Sequence, residues 1–389
     1  MIRTLALLCT LAAVAASPSF ADHHESGEGA DPWLEVPATA EGPGSGKHVF
    51  LVTAEEEYRS EEYFPVLASV LAKHGFDCTV LFAVNREDGS IDPDQIDNIP
   101  GLDRLVPEAD ILVMNVRWRH LPDDQMKAFI DYTNSGKPIL AVRTATHPFN
   151  YPDGSQSPYA KWDWQAGPTG GGWGREVAGE TWVTHYGGHK FEATRAVPAY
   201  GQGDHPLLSG VEDVWGPSDV YGLKMDPGTV EVVLLGLTLD GMEKDSPVRA
   251  DLEAVPVAWV KEYEGETGNT TRLVVTTMGA AQDVENEDFR RFLCNSVLWL
   301  LDMEVPAELD VEPPGGFVAR PYGFGGHQRG IKPHQALEKA TEYAANPRDE
   351  GRFYPPLDEK KISEWERKRP KSIGKANRIE RMPKSSNAN

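Results

Sequence analysis

From Lys47 onward the apolar residues fall into short continuous runs: "HVFLVTA", "DCTVLFA", "ADILVMNVR" and "PILAVR". Runs of this length without in/out alternation are what strands buried on both faces produce. Between them lie two amphipathic segments, "EEYFPVLASVLAKHG", with Ser60 as its predicted N-cap and Gly75 at its end, and "LPDDQMKAFIDYTNSG", with Pro122 in its first turn and Gly136 past its end. Pro near the start and Gly past the end are helix boundary signals. Strand and helix alternating in this way predict a doubly wound, mostly parallel α/β sheet. Farther on, "VEVVLLGLT", "VPVAWVKEY" and "TRLVVTTMG" predict three strands that end the sheet. Phe289, Phe292, Leu293, Val297 and Leu300 then recur at helical spacing, in a helix that closes the domain near Met303.

The pattern fails in four places. Between Phe149 and Pro206 it dissolves into Gly, Trp, Tyr and His, and an insertion this long in a compact domain is more often functional than idle. Residues 304–350 are rich in Pro and Gly and predict an extended strap carrying one short helix near Ala336 to Ala345. Residues 22–46 read as a flexible segment before an α/β domain spanning 47–303. Residues 1–21 read as a cleaved signal peptide: Arg3, an apolar run from Leu5 to Ala16, then Ser19-Phe20-Ala21. The apolar run is short of the ~20 residues a spanning helix needs. The expectation is a periplasmic or secreted protein, free of the membrane after cleavage. Cys9 leaves with the signal, and Cys78 and Cys294 sit in apolar contexts, as buried thiols or a single bridge.

The net charge of −22 is uneven, because residues 351–389 carry 11 Lys and Arg against 5 Asp and Glu. The acidic body repels phosphate backbones and excludes nucleic acid as its partner. The basic tail reads as a solvated, disordered end, with a protein partner engaged through the strap as the alternative.

In open parallel sheets ligands sit at the carboxyl ends of the strands. That rule selects Thr53 to Arg59 after the first strand, Asn115, Arg117, Trp118, Arg119 and His120 after the third, and Arg143, Thr144, Thr146 and His147 after the fourth.

Together with "THYGGH", "DHPLLSGV" and the closing "PVAWVKEYEGETGNTTRLVVTTMGAAQDVENEDFRRFLCNSVLWLL", these segments resemble the ThuA-like (trehalose utilisation) domain of the class I glutamine amidotransferase-like superfamily, over roughly residues 47–303. The resemblance implies a flavodoxin-like sheet and a role in carbohydrate metabolism, on a disaccharide or an oxidised sugar. Two departures stand out. Arg143 and His147 occupy positions where many relatives carry a histidine and an acid, and Gly279 is followed by Ala280 where a histidine is usual.

Glutamine amidotransfer needs a cysteine thiolate on the turn after the fourth strand, and residues 141–149 contain neither Cys nor a G-x-S-x-G elbow. That route is excluded. Thr144 and Thr146 suit hydrogen bonding better than attack. The Arg143 guanidinium suits a carboxylate or a sugar, or an ion pair with Glu55, Glu56 or Glu57 across the sheet. His147, His185, His189 and His205 are the acid/base candidates. The glycines inside "HYGGH" argue against the helix that would aim His185 and His189 at one metal.

Catalysis is therefore expected from His147, His185, His189 and Arg143, and substrate binding from Glu55, Glu56, Arg117, Trp118, Thr144, Trp173 and Tyr221. Trp118, Trp162, Trp164, Trp173 and Trp182 offer flat faces for pyranose rings, or else an aromatic core that pins the insertion. "GPTGGGWG" lacks the Lys-Ser/Thr of a P-loop and reads as a flexible or tightly turning lid. No cofactor motif is present. The competing readings are a non-catalytic carbohydrate-binding or scaffold module and a metal-dependent hydrolase with a divalent ion on the histidines.

Overall fold

The structure, a computed structural model, describes residues 30–345 except 168–169 and 226–227. The predicted signal peptide, the last residues of the strap and the basic tail lie outside the described residues. No helix among the described residues is long and apolar enough to cross a membrane.

In chain order the elements are β1 (Trp33–Val36), β2 (His48–Ala54), α1 (Ser60–Ala72), β3 (Asp77–Phe82), α2 (Leu105–Glu108), β4 (Ile111–Val116), α3 (Asp123–Thr133) and β5 (Ile139–Val142). The insertion adds α4 (Gly172–Glu176), β6 (Thr184–His185) and β7 (Thr194–Pro198), and the segment after it adds β8 (Val214–Gly216) and β9 (Tyr221–Gly222). β10 (Glu231–Thr238), β11 (Val255–Glu264), β12 (Thr270–Thr276), α5 (Glu287–Leu300) and α6 (Ala336–Ala345) complete the fold. The main sheet has ten strands in the order β1-β3-β2-β4-β5-β12-β11-β10-β7-β8. Its centre, β3-β2-β4-β5-β12, is parallel throughout and has the flavodoxin order.

The strands are apolar on both sides because both faces are covered. Val49 and Leu51 of β2 join a core with α1 and α5, while Phe50, Val52 and Ala54 join a second core with α3. Each large side chain so buried contributes roughly 1.5–3 kcal/mol. The strand order reverses at β2, so the loops leaving β2 and β4 flank the crevice where such sheets take ligands.

Several expectations are corrected, while the buried thiols and the helix at Ala336–Ala345 are as expected. The segment before Lys47 contains an edge strand: β1 pairs antiparallel with β3, Trp33 opposite Leu81. β10 to β12 do not end the sheet, because β7 pairs with β10 and β8 with β7. Ser60 is the first residue of α1 rather than its cap, which is Arg59 in a left-handed conformation (φ 62°). Cys78 and Cys294 are free and buried, and burial pushes the Cys294 thiol up to about 12. Gly167 of "GPTGGGWG" is exposed and Gly170 half-buried, both at positive φ as in a tight turn, while Gly171 to Gly174 belong to the packed interior: Trp173 is fully buried in the second core, and a Cβ on Gly174 would meet the Thr146 carbonyl oxygen at 1.8 Å. The helix expected near the end of the strap is α6.

Candidate functional site

Glu55 shapes the turn after β2 from beneath. Its Oε2 accepts from the backbone N–H of Glu57 (2.8 Å) and Tyr58 (2.6 Å), and its Oε1 from the N–H and hydroxyl of Ser60 (both 2.9 Å). Glu55 therefore holds the start of α1 and faces no ligand. The turn presents Glu56 and Glu57 to the loop after β4. Glu56 accepts from Arg117 (2.7 Å) and Arg119 (2.6 Å), and Glu57 accepts from Arg117 Nη1 at 2.8 Å.

Arg143, after β5, is wholly buried. It donates to the carboxylate of Asp219 (3.0 Å) and to the Asp219 carbonyl (2.7 Å), and its guanidinium carbon lies 4.5 and 4.1 Å from the ring centres of Tyr58 and Tyr221. The ion pair considered with Glu55–Glu57 is made instead with Asp219, which sits just before β9. Arg143 thus acts on the site through Asp219, and Tyr221 is its platform. Thr144 donates to the side-chain oxygen of Asn115 (2.6 Å), as a structural hydroxyl does.

The insertion delivers the histidines. His185 lies on β6, paired with Tyr221 of β9, and the two glycines that follow turn the chain so that His189 returns beside it, ring centres 4.3 Å apart. No helix is needed to bring them together. The Gly188 N–H donates to Glu192, which pairs in turn with buried Arg249 at 3.0 Å and anchors the turn. Asp219 then bridges both rings, accepting from His185 Nδ1 (2.6 Å) and His189 Nδ1 (2.8 Å), while His189 Nε2 faces Glu57 at 2.9 Å.

These contacts dictate protonation. A carboxylate can only accept, so His189, with a carboxylate at each nitrogen, carries both hydrogens as imidazolium. Burial lowers its pKa, but Asp219 and Glu57 outweigh this and raise it to about 9. Burial acts oppositely on Glu57, and the bonds to His189 and Arg117 bring that carboxyl down to about 2. Asp219, despite complete burial, is held well below the ordinary carboxylate range by His189, His185 and Arg143. For His185 the bond to Asp219 places a hydrogen on Nδ1, so that in the neutral ring the lone pair lies on Nε2.

His147 borders the same space but is buried. Its Nδ1 meets the Thr146 hydroxyl at 3.0 Å, and burial together with Arg117 and Arg143 pushes its pKa well below the usual value. Around it stand half-buried Trp118, Trp164 and Trp182, with mutual ring-centre distances of 5.6, 6.0 and 6.2 Å; Trp182 is also 5.7 Å from His185. Trp173 and Trp162 belong to the hydrophobic core, the former donating to Thr133 Oγ1 (3.2 Å). His205 lies elsewhere, 5.7 Å from Trp299.

Of the two acids that complete the histidine pair, Glu57 lay in the loop selected after the first strand, whereas Asp219 was visible in the sequence only as one acid among 60. A backbone signal accompanies them. Of the five non-glycine residues with positive φ among the described residues, Arg59, Trp118, Arg143 and Lys190 all flank this site. Strained backbone of this kind concentrates at functional sites.

His185, His189 and Asp219 each offer a donor atom within 4.8 Å of the others, so the trio could hold a divalent ion. Loading it would require His189 to give up a proton that two carboxylates retain.

A sequence model of the family described as trehalose utilisation, ThuA, matches residues 48–300. Among solved structures, a ThuA-like protein from Parabacteroides merdae ATCC 43184 is 13% identical, covering 66% of this chain and 91% of its own, with a TM-score of 0.37. The exo-β-1,4-mannosidase Op5Man5 from Opitutaceae bacterium strain TAV5 is 9% identical over 66% of this chain and 36% of its own, with a TM-score of 0.31. No curated protein matches the chain.

Proposed function

We propose that this chain, which belongs to the trehalose-utilisation (ThuA) family, is an enzyme that binds a disaccharide or an oxidised sugar against Trp118, Trp164 and Trp182 and moves a proton with His185. One observation carries the reading: the 2.6 Å bond from His185 Nδ1 to buried Asp219, which orients the ring beside an aromatic wall with Nε2 bonded to none of the described residues. A base whose far nitrogen is held by a carboxylate is the common arrangement for general acid/base catalysis. Flat indoles suit the apolar faces of pyranose rings.

In this reading a sugar hydroxyl, or a C–H beside a carbonyl, gives its proton to His185 Nε2. Asp219 stabilises the imidazolium so formed. His189 is a fixed positive charge 4.3 Å away between ring centres, placed to stabilise negative charge that develops on substrate oxygen. Arg143 and Glu57 hold Asp219 and His189 in place and are positioning residues. The proposal includes export by way of residues 1–21, to be checked by the N-terminal sequence of the mature protein.

The test is turnover of a panel of disaccharides and keto-sugars by the full chain and by His185→Ala, with binding measured in parallel. The expected result is binding in both and product from the wild type alone. Equal turnover by the variant overturns the role of His185. Binding without turnover by either protein favours a carbohydrate-binding module, and turnover that follows a bound metal lost in His185→Ala favours a metal-dependent hydrolase.

A further inference from the structure

The loop after β3 and the strap meet at a second cluster. The strap meets the loop at residues 88–92: the Ile91 N–H donates to the Ile331 carbonyl (2.7 Å), and Lys332 Nζ donates to the Asp88 carbonyl. Beside these contacts, Asp92 and Asp94 from the loop converge with His327 from the strap, one donor atom of each lying within 4.8 Å of the others.

His327 is only 7% exposed, yet neither ring nitrogen has a hydrogen-bond partner among the described residues. Nδ1 is buried without a partner, and Nε2 stands 3.8 Å from Asp92 Oδ1, too far for a hydrogen bond. Leaving a buried imidazole unpaired is costly, and a bound ion would remove that cost. A separation of 3.8 Å is close to that of two ligands sharing one ion, since donor atoms ~2.0–2.2 Å from a metal stand roughly 3–4 Å apart. The loop is stiff enough to hold such a set: Arg119 Nη1 donates to the Pro93 and Gln95 carbonyls (both 2.9 Å), and the Asp94 N–H donates to Asp92 Oδ1 at 3.1 Å.

We propose that Asp92, Asp94 and His327 form a site for one divalent ion of the zinc or manganese kind, which pins the strap to the loop after β3. One imidazole and two carboxylates suit such ions better than magnesium or calcium, which prefer oxygen alone. The site is separate from the His185–His189–Asp219 group and does not depend on the proposed sugar chemistry.

The full chain, stripped with chelator, is titrated with Zn2+ and with Mn2+ by calorimetry, with elemental analysis after dialysis, alongside Asp94→Asn, His327→Ala and His185→Ala. Asp94 is exposed, so Asp94→Asn preserves the fold even if His327→Ala does not. The expected result is one equivalent bound by the wild type and by His185→Ala, with affinity at least about tenfold weaker in Asp94→Asn and His327→Ala. Metal should also protect the strap from limited proteolysis in the wild type and not in Asp94→Asn. Failure of either ion to bind the wild type, unchanged binding by Asp94→Asn, or loss of the bound equivalent only in His185→Ala overturns the site.

Discussion

The doubly held imidazolium at His189 makes stability depend on pH in a calculable way. Its pKa is raised from 6.5 to about 9, so its contribution is fully present below 6.5 and is lost as pH rises through about 9. The total is about 3 kcal/mol, of which roughly 2.4 kcal/mol is lost between pH 7 and pH 9.5. Glu61 acts in the same direction: burial raises its carboxyl from 4.5 to about 8, so the folded chain retains a proton there that the unfolded chain has released, and stability falls as pH rises to about 8. A wild-type pH profile alone would mix the two. The comparison is therefore with His189→Gln, in which Glu61 is unchanged. Urea unfolding of both proteins at pH 7 and pH 9.5 should show the wild type losing about 2 kcal/mol more than the variant, with the His189 Cε1–H resonance titrating near pH 9 in the wild type. Equal losses in the two proteins, or a His189 midpoint near 6.5, would refute the charge assignment.

Three further outcomes are expected. Asp219→Asn leaves the fully buried Arg143 without its carboxylate and should destabilise the fold by about 3–5 kcal/mol in urea unfolding; an unchanged midpoint would mean that the carbonyls of Asp219 and Thr277 suffice to hold Arg143. Gly174→Ala drives a methyl into the Thr146 carbonyl oxygen, 1.8 Å from where the Cβ must sit, and should destabilise by at least about 2 kcal/mol in thermal unfolding, because α4 can make room only by leaving the core. Trp182→Ala, at a half-buried ring, should leave the fold intact and weaken saccharide binding by about 1–2 kcal/mol by calorimetry; unaltered affinity would remove the aromatic wall from the proposal.

The central strands and helices were legible because each is written locally. A strand covered on both faces needs a continuous apolar run, as in "HVFLVTA", and a helix needs its apolar spacing and boundary residues, as around Phe289 to Leu300. β7, in the Gly- and Trp-rich insertion, and β8, three residues long just after it, were missed because short strands leave no such run. β1 was missed because Leu34 and Val36 are too few to mark a strand until β3 is there to pair with. In the site, the rule of strand carboxyl ends selected Arg117, Arg143 and His147, and all three lie beside the histidine pair. That rule could not tell which of them faces a ligand. Arg143 and Glu55 spend their hydrogen bonds inside the fold, and Trp173 fills the core.

What the sequence determined by itself is the parallel α/β frame, the place where its strands end and the absence of an amidotransferase nucleophile, since each depends on residues close together in the chain. Only the tertiary structure decided the pairing of Asp219 with His185, His189 and Arg143, partners 34, 30 and 76 positions apart. One carboxylate is indistinguishable from the other acids until folding removes it from water, and burial is what makes its three donors obligatory.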